Sequence, residues 1–294
     1  MNRTNPRYRF GIVVPVRKMA AELSGAIDSI ISQKLNGSLV NSNGRRDVDV
    51  IVVVDDLDES TSSVLQRYVG HLRWVEGDAA GQAGAVVKGM NLLNAEIVKW
   101  LNADDRLLPG ALQAVDQAFV ASSTAEFAYG DVAFANTAGR IVGEHREPGY
   151  SPFIVLFGHN LFADPSCFWR SSLNERIGGI SISAKYSLDY EFWVRIVKAR
   201  GRVIQIRQTL AAFTVTGANM SVIHHKAMRR EHFDILSQHY HFINILPKSA
   251  RYAVLSLLML VARVVKRARV LVERGQLSGG VFSRLMKGAG APRA

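Results

Sequence analysis

The run Val50-Ile51-Val52-Val53-Val54 stops abruptly at Asp55 and Asp56, and this feature constrains the fold more than any other. β-branched side chains crowd the preceding turn of a helix and suit a pleated strand, and five in succession leave no polar face. Such a strand is buried on both sides, as a central strand is in a parallel sheet covered by helices. Apolar runs at 10–16, 72–75 and 97–101 read as companion strands to the one at 48–54. Between them, Leu23, Ile27, Ile30 and Ile31 recur at helical spacing, Val87, Leu92 and Leu93 more loosely, and Leu112, Val115 and Phe119 follow Pro109 at a helix start. The alternation predicts an α/β fold with a mixed, mainly parallel, Rossmann-like sheet and helices on both faces.

The second half predicts shorter, mixed elements: strands at 127–134 and Ile141–His145 around a turn at Ala138 and Gly139, then a helix at Pro152–Phe157. A helix follows at 189–199, with Phe192, Trp193, Ile196 and Val197 on its apolar face and Asp189 where a capping acid would sit. With 48% hydrophobic residues in 294, the chain can bury a sizeable core. Its single cysteine, Cys167, lies in an apolar stretch and reads as a small buried hydrophobe rather than a nucleophile. Residues 1–10 carry Arg3, Arg7 and Arg9 but no apolar signal-peptide region, so a reducing, cytoplasmic location is expected.

The formal charge of +11 invites a nucleic-acid reading, but its distribution argues against one. Ten of the 36 basic residues and only one of the 25 acids, Glu273, lie from Lys248 onward, which leaves the first 247 residues close to neutral. The basic character belongs to a tail, so the chain divides into a main domain at 1–245 and a basic amphipathic helical tail at 246–294. Residues 252–265 are strongly apolar, yet shorter than the ~20 residues of a spanning helix and followed by Lys266, Arg267 and Arg269. Two placements fit: at a membrane surface, peripheral on the inner face of the cell membrane, or packed on protein. Residues 275–294 read as loose.

Polar and acidic residues gather after the strand ends: Arg17 and Lys18, Asp55 and Asp56, Asp78, then Asp104 and Asp105. Singly, each acid reads as a helix cap or a solvated loop residue. Together they mark the crevice outside the carboxyl ends of the strands, where open α/β sheets bind ligands. Carboxylates ending the second strand suit hydrogen bonds from a nucleobase, and the adjacent pair Asp104 and Asp105 offers hard oxygen ligands for Mg²⁺ or Mn²⁺ arriving on a diphosphate. Trp100, Trp169 and Trp193 read as core, and the adjacent His224 and His225 as surface residues, since neighbouring helical positions point in different directions.

In order and spacing, several short segments resemble the family 2 glycosyltransferases of the GT-A fold, particularly those that assemble bacterial surface polysaccharides. They are Val14-Pro15-Val16-Arg17, Val54-Asp55-Asp56, Gly81-Gln82 with Lys88-Gly89, 100–105, Tyr129-Gly130-Asp131 and 189–195. The resemblance spans about 10–221. It implies that Pro15, Val16 and Arg17 line the nucleotide pocket, that Asp56 contacts the base, and that Lys88 reaches the nucleotide or its phosphates. It also implies Asp104 near the ribose and metal, Asp105 as the more direct metal ligand, and Asp189 as the catalytic base. The implied reaction is inverting transfer from a nucleotide-diphospho-sugar, UDP by default, to a glycan or lipid-linked acceptor. The chain departs from the family pattern at Asn102, where a carboxylate is usual, at Leu188 before Asp189, after Gln82, and at Thr214 and Thr216, where many relatives carry Arg and His. These departures leave a second expectation: a weak or inactive relative that binds nucleotide or glycan.

Overall fold

The computed structural model describes residues 6–35, 47–78, 81–158, 161–216, 219–240 and 244–275. The first half alternates β1 (Tyr8–Val16), α1 (Ala20–Ile31), β2 (Val48–Val54), α2 (Glu59–Gln66), β3 (Arg73–Glu76), α3 (Gly81–Leu92) and β4 (Ala95–Trp100). Next come β5 (Arg106–Leu107), α4 (Ala111–Ala121), β6 (Phe127–Ala135), β7 (Ile141–His145), α5 (Pro152–Phe157), a single 3₁₀ turn (Asp164–Ser166) and β8 (Cys167–Arg170). The chain continues through α6 (Ser171–Arg176), α7 (Leu188–Lys198), β9 (Val203–Thr214), α8 (Met220–Ile223), α9 (His225–His239) and α10 (Lys248–Arg274).

The strands form one sheet in the order β3-β2-β1-β4-β8-β6-β9-β5, with β7 beside β6. β3, β2, β1 and β4 are parallel, β8 runs antiparallel between β4 and β6, and β6 and β9 are parallel. In register, Val16 lies beside Val54, and Val13 beside Trp100. The carboxyl ends of β1, β2 and β4 therefore open on one edge, as the acid clustering requires. The last strand is longer than the short elements expected there: β9 has twelve residues, and its pairing with β6 shifts register on both sides of Asp131. A bulge of this kind breaks the two-residue alternation by which a strand is read.

Period-two alternation splits the core into two layers. Phe10, Ile12, Val14, Val50 and Val52 pack under α1 and α4. Val13, Ile51, Val53 and Trp100 face α3, α5 and α7. Trp100, Trp169 and Trp193 all belong to the second layer, with ring centroids 5.2 Å apart for Trp100 and Trp169 and 6.0 Å for Trp100 and Trp193. Cys167 is buried, as expected. α3 approaches the sheet through Gly89, where an added Cβ would meet Val13 Cγ1 at 2.4 Å. Gly89→Ala must therefore lift the helix or shift Val13, and a loss of about 1–3 kcal/mol is expected in urea unfolding. A loss below measurement error would show that the helix yields freely.

A third layer joins α7, α9 and α10 through Tyr190, Val194, Phe233, Leu236, Leu255 and Met259. Two basic residues of α10 reach buried acids. Lys266 Nζ stands 2.8 Å from Glu147 Oε2, and Arg274 donates to Asp131 Oδ2. Burial pushes the Glu147 carboxyl up, but Lys266 and then His145 more than offset this and hold it below its usual range. Lys266→Met would leave Glu147 with most of its charge uncompensated, at a cost of about 3–5 kcal/mol. Equilibrium unfolding checks this, and a loss under ~1 kcal/mol would show that His145 suffices. The tail helix thus has one face packed on protein. The expectation for 275–294 lies outside the described residues, except for Gly275.

Candidate active site

β1 delivers Pro15 and Val16, both buried, to the crevice edge. Leu101 N donates to Val13 O at 2.8 Å, where β4 leaves β1. Pro15, two residues on and facing the same side, has no strand there to serve, so its missing N–H costs the ladder nothing. Arg17 and Lys18 follow on the exposed rim. Lys18 Nζ pairs with Asp56 Oδ2 at 2.9 Å, and both residues take left-handed backbone, with φ of 53° and 64°. Asp56 is thus a rim carboxylate with half its side chain exposed. Its neighbour Asp55 is buried, and its Oδ1 accepts no hydrogen bond among the described residues. A Cβ at Gly77 would fall 1.7 Å from that oxygen, so only glycine leaves room for it. Of the two acids at the end of β2, Asp55 holds the unspent, buried acceptor.

α3 borders the crevice with Gln82, whose Nε2 donates to Asn102 Oδ1 at 2.7 Å, and with Lys88, whose Nζ lies 2.6 Å from Asp78 Oδ1. Beyond β4 the chain turns tightly, with Asp105 N donating to Asn102 O at 3.0 Å, and this sets Asp104 and Asp105 side by side. Asp104 keeps part of its surface open, whereas Asp105 is fully buried. Asp105 Oδ1 accepts from Thr214 N at 3.2 Å and Oδ2 from Asn102 Nδ2 at 3.3 Å. Thr214 Oγ1 donates to Asp104 O. Thr214, one of the departures from the family pattern, therefore clamps the acidic turn to the end of β9.

Asp164, in the 3₁₀ turn before β8, was not singled out by the sequence reading. Its Oδ2 accepts from Trp100 Nε1 at 2.7 Å and from Asn102 Nδ2 at 3.3 Å, and its Oδ1 is buried without a partner among the described residues. The signal available was the lone charged residue, before Pro165, in the mainly apolar stretch 161–169. Lys99 was also passed over. It is fully buried on β4, donating to Pro165 O at 2.6 Å, with Nζ 4.8 Å from the Phe168 ring centroid.

Asp189 is the second residue of α7, and Ser187 holds the N-cap position, so Asp189 is not the cap residue itself. Its Oδ1 accepts from Tyr190 N at 2.8 Å. Glu191, by contrast, turns away to Arg195 at 2.7 Å and His239 at 3.3 Å, tying α7 to α9. The N-terminal end of α7 thus commits Glu191 to the helix interface, whereas Asp189 stays near enough to Asp164 for its charge to raise that carboxyl.

The acids of the crevice are short of positive charge. Burial, then repulsion from Asp104 and Asp164, holds the Asp105 carboxyl well above its usual range. Burial also raises Asp104 and Asp189, the latter against the stabilising hydrogen bond from Tyr190 N. Asp164 is pushed up to about 7 by burial and by Asp189, with Lys99 opposing. Burial lowers Lys99 to about 8 against the pull of Asp164. This cluster of acids with one buried cation is suited to accept either a proton or an added cation. Among the described residues, no group of three or more His, Cys, Asp or Glu is arranged to hold a metal ion. Asp104 and Asp105 nevertheless fit a Mg²⁺ or Mn²⁺ that brings oxygen ligands with a diphosphate, since such ions need only one or two protein carboxylates.

Among solved structures, S. aureus TarS with UDP-GlcNAc superposes with a TM-score of 0.61 at 14% identity, covering 92% of this chain and 76% of that one. Against a longer TarS structure the TM-score is 0.59, and the match covers 83% of this chain but only 41% of that chain. The mannosyltransferase PcManGT from Pyrobaculum calidifontis, with GDP-Man and Mn²⁺, gives 0.56 at 20% identity, covering 98% and 81% of the two chains. These likenesses show a shared fold. No curated protein sequence matches the chain. The sequence profile of Glycosyl transferase family 2 matches residues 11–177, more than half of the chain and the carboxyl ends of β1, β2 and β4, and the protein therefore belongs to that family of glycosyltransferases.

Proposed function

We propose that the protein is an inverting glycosyltransferase that moves a sugar from a nucleotide-diphospho-sugar to a hydroxyl of a glycan or lipid-linked acceptor in surface-polysaccharide biosynthesis. The observation that carries this reading is a linked row of acids: Asn102 Nδ2 donates to Asp105 and to Asp164 at 3.3 Å each, and Asp164 in turn feels the charge of Asp189, whose own carboxyl burial raises. TarS binds UDP and UDP-GlcNAc and PcManGT binds GDP-Man, which supports a nucleotide-sugar donor and leaves UDP the first to test.

Pro15, Val16 and Arg17 line the nucleotide end, and Asp56 contacts the base from the rim, with the buried Asp55 Oδ1 as a second acceptor for a base N–H. Lys88 reaches the phosphates on release from Asp78. Asp104 and Asp105 would hold a Mg²⁺ or Mn²⁺, which would neutralise charge on the departing diphosphate. Asp189 takes the proton from the acceptor hydroxyl as its oxygen forms a bond to the anomeric carbon. The bond from that carbon to the diphosphate oxygen breaks on the opposite face, inverting its configuration. Aqueous Asp is a weak base, and the raised pKa of Asp189 brings it nearer the working pH.

A second reading, a weak or inactive binder, draws on Asp105 having both oxygens engaged and on Thr216 standing in place of the histidine that many relatives carry. Nucleoside diphosphate release from UDP-, GDP- and dTDP-sugars, with and without Mn²⁺ or Mg²⁺ and with lipid-linked acceptor extract, separates the two. Cation-dependent release with one donor is expected. Donor binding by calorimetry without any release would overturn the enzymatic reading in favour of the binder.

A further inference from the structure

The outer face of α10 has a consequence independent of the crevice. Val254, Leu257, Val261, Val264, Leu271 and Val272 fall on one side of the helix and are all exposed, Val272 by 84% and Leu257 and Val264 by 59% each. At ~1.5 Å per residue the stripe runs for about 27 Å. Leu260 and Val265, also exposed, broaden it beyond the two-position seam of a coiled coil. Ile245, 84% exposed, lies just ahead of the helix.

This face does not rotate inward. The opposite side is fixed by buried Leu255, Met259, Ala262 and Val270 and by the ion pairs of Lys266 with Glu147 and Arg274 with Asp131. A permanently outward apolar surface of this length marks a docking site. No described helix is long and apolar enough to cross a membrane.

We propose that α10 docks this face onto an anionic lipid bilayer, lying in the plane of the interface. The charge pattern selects that occupant. Arg263 and Arg267 border the stripe and are exposed. The helix has one acid, Glu273, which is held by Arg269 at 2.7 Å and by Gly149 N at 2.6 Å. The sequence beyond it, 276–294, adds Arg284, Lys287 and Arg293 and no acid. A second copy packed α10 against α10 would bring like charges together with no free carboxylate between them. Anionic headgroups neutralise the arginines while the stripe enters the acyl boundary. The purpose of such docking, presenting the crevice to a lipid-linked acceptor, rests on the proposed function; the docking itself does not.

Co-sedimentation of the full chain with vesicles tests it without reading sugar transfer, so either proposal can fail alone. Sedimentation with vesicles containing phosphatidylglycerol is expected, with several-fold less on phosphatidylcholine alone and a fall at high salt. Leu257→Glu with Val264→Glu should cut binding at least about tenfold, and Arg263→Glu with Arg267→Glu about fivefold per arginine. Thermal unfolding of both variants should match the parent, since the four positions are exposed. No sedimentation of the parent, or undiminished sedimentation of the Leu257 and Val264 variant, would overturn the proposal. So would light scattering that shows a dimer dissolved by that variant in a chain that ignores vesicles.

Discussion

Asp189→Asn is expected to lower kcat for sugar transfer by about 10²–10⁴-fold, the usual worth of a positioned general base, while donor binding stays within about twofold. Asparagine is the informative replacement because its side-chain oxygen can still accept from Tyr190 N, the 2.8 Å bond that Asp189 makes at the start of α7. The local backbone contact is kept and only the basicity is lost. A structural role would show instead as a lower unfolding temperature with kcat nearly intact. The pH profile adds a second readout. Burial raises the Asp189 pKa, and the base works only when ionised. Activity should therefore fall as pH drops through a midpoint above the usual carboxylate value near 4, and this acid limb should vanish in the residual activity of Asp189→Asn. Transfer within tenfold of the parent would remove Asp189 from the catalytic role.

How much of this was legible in the sequence depended on whether the signal was local. The run 48–54 coincides with β2, and Ile141–His145 and Pro152–Phe157 coincide with β7 and α5. In each case period, composition and flanking turns act within a few residues. The end-of-strand acids were readable for the same reason, because parallel strands must place their carboxyl ends together. What stayed hidden was contact between distant segments. Thr214 clamps an acidic turn about 110 residues earlier in the chain, and Asp164 meets Asn102 across 62 positions. Neither pairing leaves a period or a motif. Thr214 stood out in the sequence only as a missing family residue, whereas in the fold it supplies two hydrogen bonds that shape the site. Lys99 was invisible for another reason: a lysine in an apolar strand reads as an edge residue until the sheet order places β8 alongside it. The tail shows the same limit. Its basic, apolar pattern was plain, but the division of α10 into a face on protein and a face toward solvent required the buried acids Glu147 and Asp131 to be located.

Asp105→Asn should make the free protein more stable and the enzyme inactive, with the gain in stability larger at pH 8 than at pH 5.5. Asp105 is fully buried and its pKa is raised by burial, Asp104 and Asp164, so the folded state disfavours its ionised form. A carboxyl whose folded pKa exceeds its unfolded value binds more protons in the native state through the interval between the two. Its stabilising contribution is complete below the unfolded value, near 4, and is lost as pH rises through the folded one. Asp104, Asp164 and Asp189 act in the same direction, with the upper edge for Asp164 at about 7. Other groups pull the other way: His239, depressed by burial, costs stability as pH falls through the imidazole range, and Glu147 does so at lower pH still. Comparing parent and variant at each pH cancels those shared terms. Replacing a buried, poorly compensated charge by a neutral group is worth about 1–4 kcal/mol, and the hydrogen bond from Asn102 is lost in the variant, so a net gain of about 1–3 kcal/mol is expected at pH 8. This corresponds to several degrees in unfolding temperature. Mn²⁺ with UDP should stabilise the parent at pH 8 by the same logic, since bound cation relieves the repulsion, and should do much less for Asp105→Asn. A variant equally or less stable than the parent at pH 8 would mean that Thr214, Asn102 and Lys99 already compensate the Asp105 charge, and that the site has no need of an external cation.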